Sequence, residues 1–258
     1  MEIRFTQLQC SSSSVTVDIN DWVIEPQQSW GVFSTEGDVG ALLGQLLTQK
    51  IDAQTLTYSG DIIGVTPASV ALVSLLEQQS LLEAILEQDD IESLGYTDPK
   101  TTVFGVVFNQ CHDNDLTHQL LQQLDLTHLC LSPFAQLSTG EGRRVMLARA
   151  VATQVPFLVL DEPYAGLDVA HRQTLTEYLQ QLSQTKQILV VVSREEDIPD
   201  WIEHVAMFSH GKLDSMMTKL QWDNHPVIAQ LTAQAGQQSD DILALIRRHR
   251  HKPLFANP

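Results

Sequence analysis

Between Leu137 and Asp168 the chain reads LSTGEGRRVMLARAVATQVPFLVLDEPYAGLD, and few folds accommodate its pieces in that order. Ser138-Thr139-Gly140-Glu141 has the S-x-x-E form of a capping box, so a helix is expected to open near Glu141. Such a helix start, preceded by Ser and Gly, offers free backbone N–H groups and the positive end of a dipole, a combination that binds phosphate. The same box also serves simply to cap a helix. Phe157-Leu158-Val159-Leu160 is a short apolar run without alternation, as expected of a strand buried on both faces. It ends in Asp161-Glu162-Pro163, and two carboxylates at a strand's C-terminal end are costly unless they meet a cation or a proton-transfer task. Ala165-Gly166-Leu167-Asp168 then turns tightly into another helix.

Two further runs, Trp30-Gly31-Val32-Phe33 and Ile188 to Val192, have the same buried-strand character. Helical patterns lie between them, over Ala41–Leu47, Ala71–Leu86, Leu116–Leu124, Gly142–Thr153 and His171–Leu182. Strands alternating with helices imply an α/β fold with crossover connections. Ahead of this core, Ile3, Phe5, Val15, Val17, Ile19, Trp22 and Ile24 alternate with polar residues, which suggests a small antiparallel layer. Glu83 to Asp98 reads as an acidic, solvated helix face. Beyond about residue 222 the pattern loosens. One more helix is expected over Asp240–Arg250, its basic end favouring the helix dipole, followed by KPLFANP as extended linker.

The chain carries 15 Lys+Arg against 32 Asp+Glu, a net charge of −17. That balance argues against a general nucleic-acid binder, which gains affinity by neutralising phosphates, and against unaided adhesion to anionic lipid. No stretch approaches the roughly 18 apolar residues of a membrane span. MEIRFTQLQC lacks the basic start and apolar run of a signal peptide. Cys10, Cys111 and Cys130 have neither metal nor redox spacing and read as reduced cytosolic thiols. Cys111, His112 and His118 find nothing nearby to complete a tetrahedral metal site.

Taken together, these motifs resemble the ATP-binding cassette (ABC) ATPases over roughly residues 1–215. Leu137-Ser138-Thr139-Gly140-Glu141 resembles the family signature, usually LSGGQ, followed by the basic positions Arg143, Arg144 and the Arg149-Ala150 pair. Phe157–Asp161 resembles the Walker B strand, Glu162 the catalytic glutamate, and Gly166-Leu167-Asp168 the D-loop. More narrowly, LSTGE, the run from Asp161 to Ala170, and Glu196-Asp197-Ile198-Pro199 resemble the first half of ModF-type tandem-cassette ATPases associated with molybdate transport. The resemblance implies an ABC-type P-loop NTPase fold with a mixed core sheet, an N-terminal antiparallel β layer and a helical subdomain at about 68–154. It implies a nucleotide-binding domain over 1–222 and a C-terminal helix and linker over 223–258 that lead toward a second cassette. It also implies ATP and Mg²⁺ as cofactors, Asp161 as Mg²⁺ ligand, a membrane permease as a further partner, and a cytoplasmic place at the inner face of a membrane.

Elsewhere the chain departs from the family pattern. The phosphate loop G-x-x-x-x-G-K-[ST] should fall at Ser34-Thr35-Glu36-Gly37-Asp38-Val39-Gly40-Ala41. Gly37 matches the additional glycine of ABC loops, but Ser34 and Val39 replace the flanking glycines, Gly40 the lysine and Ala41 the metal-binding hydroxyl. β-Branched Val39 resists the geometry that converges N–H groups on phosphate, and Glu36 and Asp38 add negative charge there. Arg194 stands where a switch histidine is usual; it donates to phosphate but relays no proton. No adenine-stacking aromatic lies near Gln9–Ser12, and the loop glutamine expected after Ile62-Ile63-Gly64-Val65 is missing. In the family each ATP lies between the phosphate loop of one cassette and the signature of the other. The expectation is therefore a cassette with a degenerate loop that donates its signature to a composite site on a partner. The alternative is a catalytically inactive pseudo-ATPase that binds or regulates a partner. A non-transport ABC protein acting on ribosomes or DNA fits the acidic chain worst.

Overall fold

The computed structural model describes residues 1–12, 15–35, 39–50, 56–92 and 101–226. Gly37 with its neighbours Glu36 and Asp38, and the helix expected over Asp240–Arg250, lie outside them.

The chain opens with β1 (Ile3–Ser11) and β2 (Thr16–Ile24), paired antiparallel from Ile3↔Ile24 to Ser11↔Thr16. Their alternating residues, Phe5 and Trp22 among them, are buried and stack with ring centroids 5.0 Å apart. The central strands are β3 (Trp30–Ser34), β6 (Phe157–Asp161), β7 (Gln187–Val192) and β8 (His204–Ser209), with β9 (Lys212–Thr218) antiparallel to β8. With β4 (Thr57–Ile63) and β5 (Val70–Val73) they form, among the described residues, one mixed sheet in the order β4-β1-β2-β9-β8-β3-β7-β6-β5. From β8 to β5 all pairings are parallel.

Each central strand divides its side chains between two cores. Phe157, Val159, Leu189 and Val191 join β1, β2 and the buried face of α1 (Val39–Thr48). Leu158, Leu160, Ile188 and Val190 join a second core with α3 (Val103–Cys111), α4 (Asn114–Gln123), α5 (Thr139–Ala152) and α6 (Val169–Leu182). Burial on both faces is why these strands show no alternation in the sequence. The last helix among the described residues, α7 (Lys219–Asp223), places Trp222 against Phe33 with centroids 5.0 Å apart.

Two expectations change, and one helix had no expectation at all. The stretch Ala71–Leu86 is not one helix. Val70–Val73 pairs with Phe157–Leu160 as β5, and helix α2 (Leu75–Glu92) begins only after Ser74, whose hydroxyl accepts from the Glu77 N–H. An apolar run of four is ambiguous in period, and the vacant sheet position beside β6 decides it. Ile62 and Ile63, ahead of the expected loop-glutamine position, belong to β4, antiparallel to β1 and at the opposite edge of the sheet from β5 and β6. Gln78, near the start of α2, lies against Gly142. Finally, α3 carried no clear signal, since VFGVVFNQC is rich in strand-favouring residues. Its helical form is set by the Thr102 cap on Gly105 N–H and by burial of Val103, Val106 and Val107.

Candidate functional site

The N-terminus of α5 is built as the S-x-x-E pattern requires. The Ser138 N–H donates to Glu141 Oε2 at 2.8 Å, the Glu141 N–H donates to Ser138 Oγ at 3.4 Å, and the Ser138 hydroxyl donates to Glu141 Oε2 at 2.7 Å. These bonds from Ser138, side chain first and backbone second, hold the Glu141 carboxyl below the usual glutamate range. Ser138 and Thr139 are exposed, whereas Leu137 packs into the helical core.

Gly140 sits so close to the turn before α6 that a Cβ there would lie 3.2 Å from both Gly166 O and Leu167 Cδ2. Gly166 turns at φ 78°, and Asp168 caps α6 by accepting from the His171 N–H at 2.9 Å. That bond, with the His171 ring nitrogen 2.9 Å from Asp168 Oδ2, lowers the Asp168 carboxyl. A cleft of about 330 Å³ opens here, lined by Ser138, Gly140, Glu141, Arg144, Asp168 and His171. Ser138 to Glu141 and Asp168, apart in the chain, thus share one surface. His171 and Asp125, whose carboxylate lies 3.9 Å from His171 Nε2, had not been singled out from sequence. The D-x-x-H spacing on a helix start was the available signal for His171.

Ser34, Asp161 and the segment leading to Arg194 lie together at the C-terminal ends of β3, β6 and β7, because these strands run parallel and adjacent. Ser34 is buried at the end of β3. Asp161 ends β6, and Glu162 follows at φ 50° with its N–H donating to Val191 O at 2.9 Å. Gly40 and Ala41 belong to the first turn of α1, with Gly40 buried and Ala41 half-buried. A Cβ on Gly40 would lie 1.9 Å from Asp161 Oδ1 and 3.0 Å from Val191 Cγ1, so the aspartate occupies the space a side chain at 40 needs. Arg194 is exposed and pairs with Glu196. From below, the buried Arg143 donates to the Glu162 carbonyl.

A β6 strand that ends in an acid pair beside the start of α1, with a capped helix N-terminus seated on the following turn, defines an α/β ATPase cassette. The chain belongs to the ABC transporter family, whose model matches residues 33–165, just over half of it. It is similar to ABC transporter ATP-binding protein ModF of Escherichia coli (strain K12), 27% identical over 223 residues, which cover 85% of this chain and 44% of that protein. It is also similar to the molybdate import ATP-binding protein MolC of Haemophilus influenzae, 34% identical over 85 residues, or 33% of this chain and 34% of that protein. Among solved structures, a bacterial Atm1-family ABC exporter with ATP bound superposes with TM-score 0.68 at 14% identity, covering 91% of this chain and 41% of the exporter chain. The matched stretches cover less than half the length of each of these three proteins. Proteins of this family bind ATP, typically with Mg²⁺, and work with other cassettes and permeases. No helix among the described residues is long and apolar enough to cross a membrane.

Proposed function

We propose that this chain is an ABC cassette, over 1–222 with a helical subdomain near 68–154, whose own phosphate loop is degenerate. It completes an ATP site on a second cassette by presenting Leu137, Ser138, Thr139, Gly140 and Glu141, with Asp168 of the D-loop beside them. The observation that carries this reading is the contrast between its two surfaces. The signature side keeps an open cleft at a properly capped helix start. On the loop side, Gly40 supplies no cation, Ala41 no metal-binding hydroxyl, and Asp161 fills the place of a side chain at 40. The residues present do not fit Mg²⁺–triphosphate held by this chain alone, so Asp161 does not serve as a metal ligand nor Glu162 as a catalyst in its own site.

In the composite site the N–H groups at the start of α5 and the Ser138 hydroxyl contact the γ-phosphate held by the partner's loop, where they stabilise charge that develops during transfer. Similarity to the molybdate import ATP-binding protein MolC supports a molybdate-type transport system, in which a permease at the inner face of a membrane would be the further partner. The test is Ser138→Arg in the complete assembly. A fall of tenfold or more in ATP hydrolysis by the partner, with this chain still folded, supports the reading, and an unchanged rate refutes it. One observation favours a second reading, a regulatory pseudo-ATPase. The Ser138 hydroxyl already gives its proton to Glu141 Oε2, which leaves it an acceptor toward any phosphate. On that reading the partner's rate is indifferent to position 138 but changes when the whole chain is removed.

A further inference from the structure

We infer, on the reading that the signature acts on a partner's ATP, that Arg172 is a positioning residue for the signature cleft. It ties the turn bearing Asp168 to the segment bearing Arg194. Arg172 stands in the first turn of α6, where its backbone N–H donates to Asp168 O at 2.9 Å. Its guanidinium reaches two further segments. Cζ lies 5.3 Å from the centre of the Tyr164 ring, and Nη1 donates to Asp197 Oδ1 in an ion pair. Tyr164 is buried in the turn that follows Glu162, and Asp197 is buried in the helical turn Glu195–Asp197 that follows Arg194. A carboxylate so removed from water needs its cation, and breaking such a pair costs far more than breaking an exposed one.

Both ends of this tie are anchored. The Asp197 N–H donates to Arg194 O at 3.1 Å, and the next residue, Ile198, packs on β3 so closely that a Cβ on Gly31 would lie 2.8 Å from its Cδ1. At the other end, the Thr176 hydroxyl of α6 donates to the Tyr164 hydroxyl at 3.4 Å. Between Tyr164 and Asp168 lie Gly166 and Leu167, the residues on which Gly140 of the signature is seated. Contacts therefore run from Arg194 through Asp197, Arg172 and the Tyr164–Asp168 turn to the start of α5. Arg172 is the link that spans the ends of β6 and β7. Releasing it should let the turn shift under Gly140, and a displacement of about 1 Å in groups that position a reaction can cost on the order of a hundredfold in rate.

The test is steady-state ATP hydrolysis by the complete assembly, run beside Ser138→Arg, together with hydrogen exchange of the full chain alone. Arg172→Gln should lower kcat by about tenfold and leave KM for ATP within about twofold, because the partner's loop holds the nucleotide. Arg172→Lys keeps the charge but loses the planar fork, and should recover part of that loss. Asp197→Asn should reproduce the loss, and the double variant should be no worse than either single one, as for two residues of one link. In the isolated chain, Arg172→Gln should speed exchange at both 164–168 and 195–198 and leave α3 unchanged. If Arg172→Gln does not fold, Arg172→Lys carries the same comparisons with a smaller loss. An unchanged kcat in folded Arg172→Gln, with Ser138→Arg inactive, would overturn the role of Arg172 and leave the signature reading standing. If Ser138→Arg turns over normally, the signature reading falls, and exchange decides on the tie. Faster exchange at both segments upholds it, whereas a change at one or neither refutes it.

Discussion

Replacing Gly40 with alanine puts one methyl group into the closest approach at the loop side of the fold. Helix propensity alone favours the change by at most about 1 kcal/mol, since glycine in a helix is that much worse than alanine. Sterics oppose it. The new Cβ would lie 1.9 Å from Asp161 Oδ1, 2.8 Å from its Cγ and 3.0 Å from Val191 Cγ1. Asp161 must turn away, off its present partners and against the buried β7. Overpacking of this kind costs about 1–3 kcal/mol. The expected net is a loss of about 1–2 kcal/mol, equivalent to roughly 2–6 °C in Tm for a chain of this size. In an Asp161→Ala background the two shortest contacts vanish, the Val191 contact remains, and Gly40→Ala should become neutral or stabilise by up to about 1 kcal/mol. Urea unfolding of the four proteins closes the double-mutant cycle, with an expected coupling of about 2 kcal/mol. A Gly40→Ala variant more stable than wild type by itself would refute the reasoning. It would mean that Asp161 yields without cost and that the strand end has room for a lysine.

Glu141, held below the usual glutamate range by Ser138, stabilises the fold above the unfolded-state pKa, and that contribution is lost as pH falls through the lower folded-state value. The stability difference between wild type and Glu141→Gln should therefore be constant at neutral pH and shrink below about pH 4, measured by urea midpoints. Tyr164 and Tyr178, pushed up to about 12 by burial, should show no phenolate absorbance in the folded chain near pH 10. Because their folded-state values are raised, stability should fall as pH climbs from about 10 toward 12. Trp222→Ala removes a fully buried ring packed at a tilt against Phe33 and should cost about 3–5 kcal/mol in equilibrium unfolding.

The sequence by itself determined what is local or strictly periodic. The Ser138–Glu141 cap and the two-faced burial of Phe157–Leu160 and Ile188–Val192 were both legible. Each depends on residue type within a few positions. Tertiary structure alone decided three matters. Val70–Val73 is a strand because β6 offers it an open edge, though its four residues suit a helix as well. Val103–Cys111 is a helix because its valines find a core between α4 and α5, against their own preference for strand. Arg143, one basic residue in an Arg-Arg pair when read along the chain, separates from Arg144 because successive helix positions point about 100° apart. One therefore meets the Glu162 carbonyl just after β6 while the other turns to the Leu124 carbonyl at the end of α4. These partners lie some twenty residues away in sequence, and only the tertiary packing brings them together.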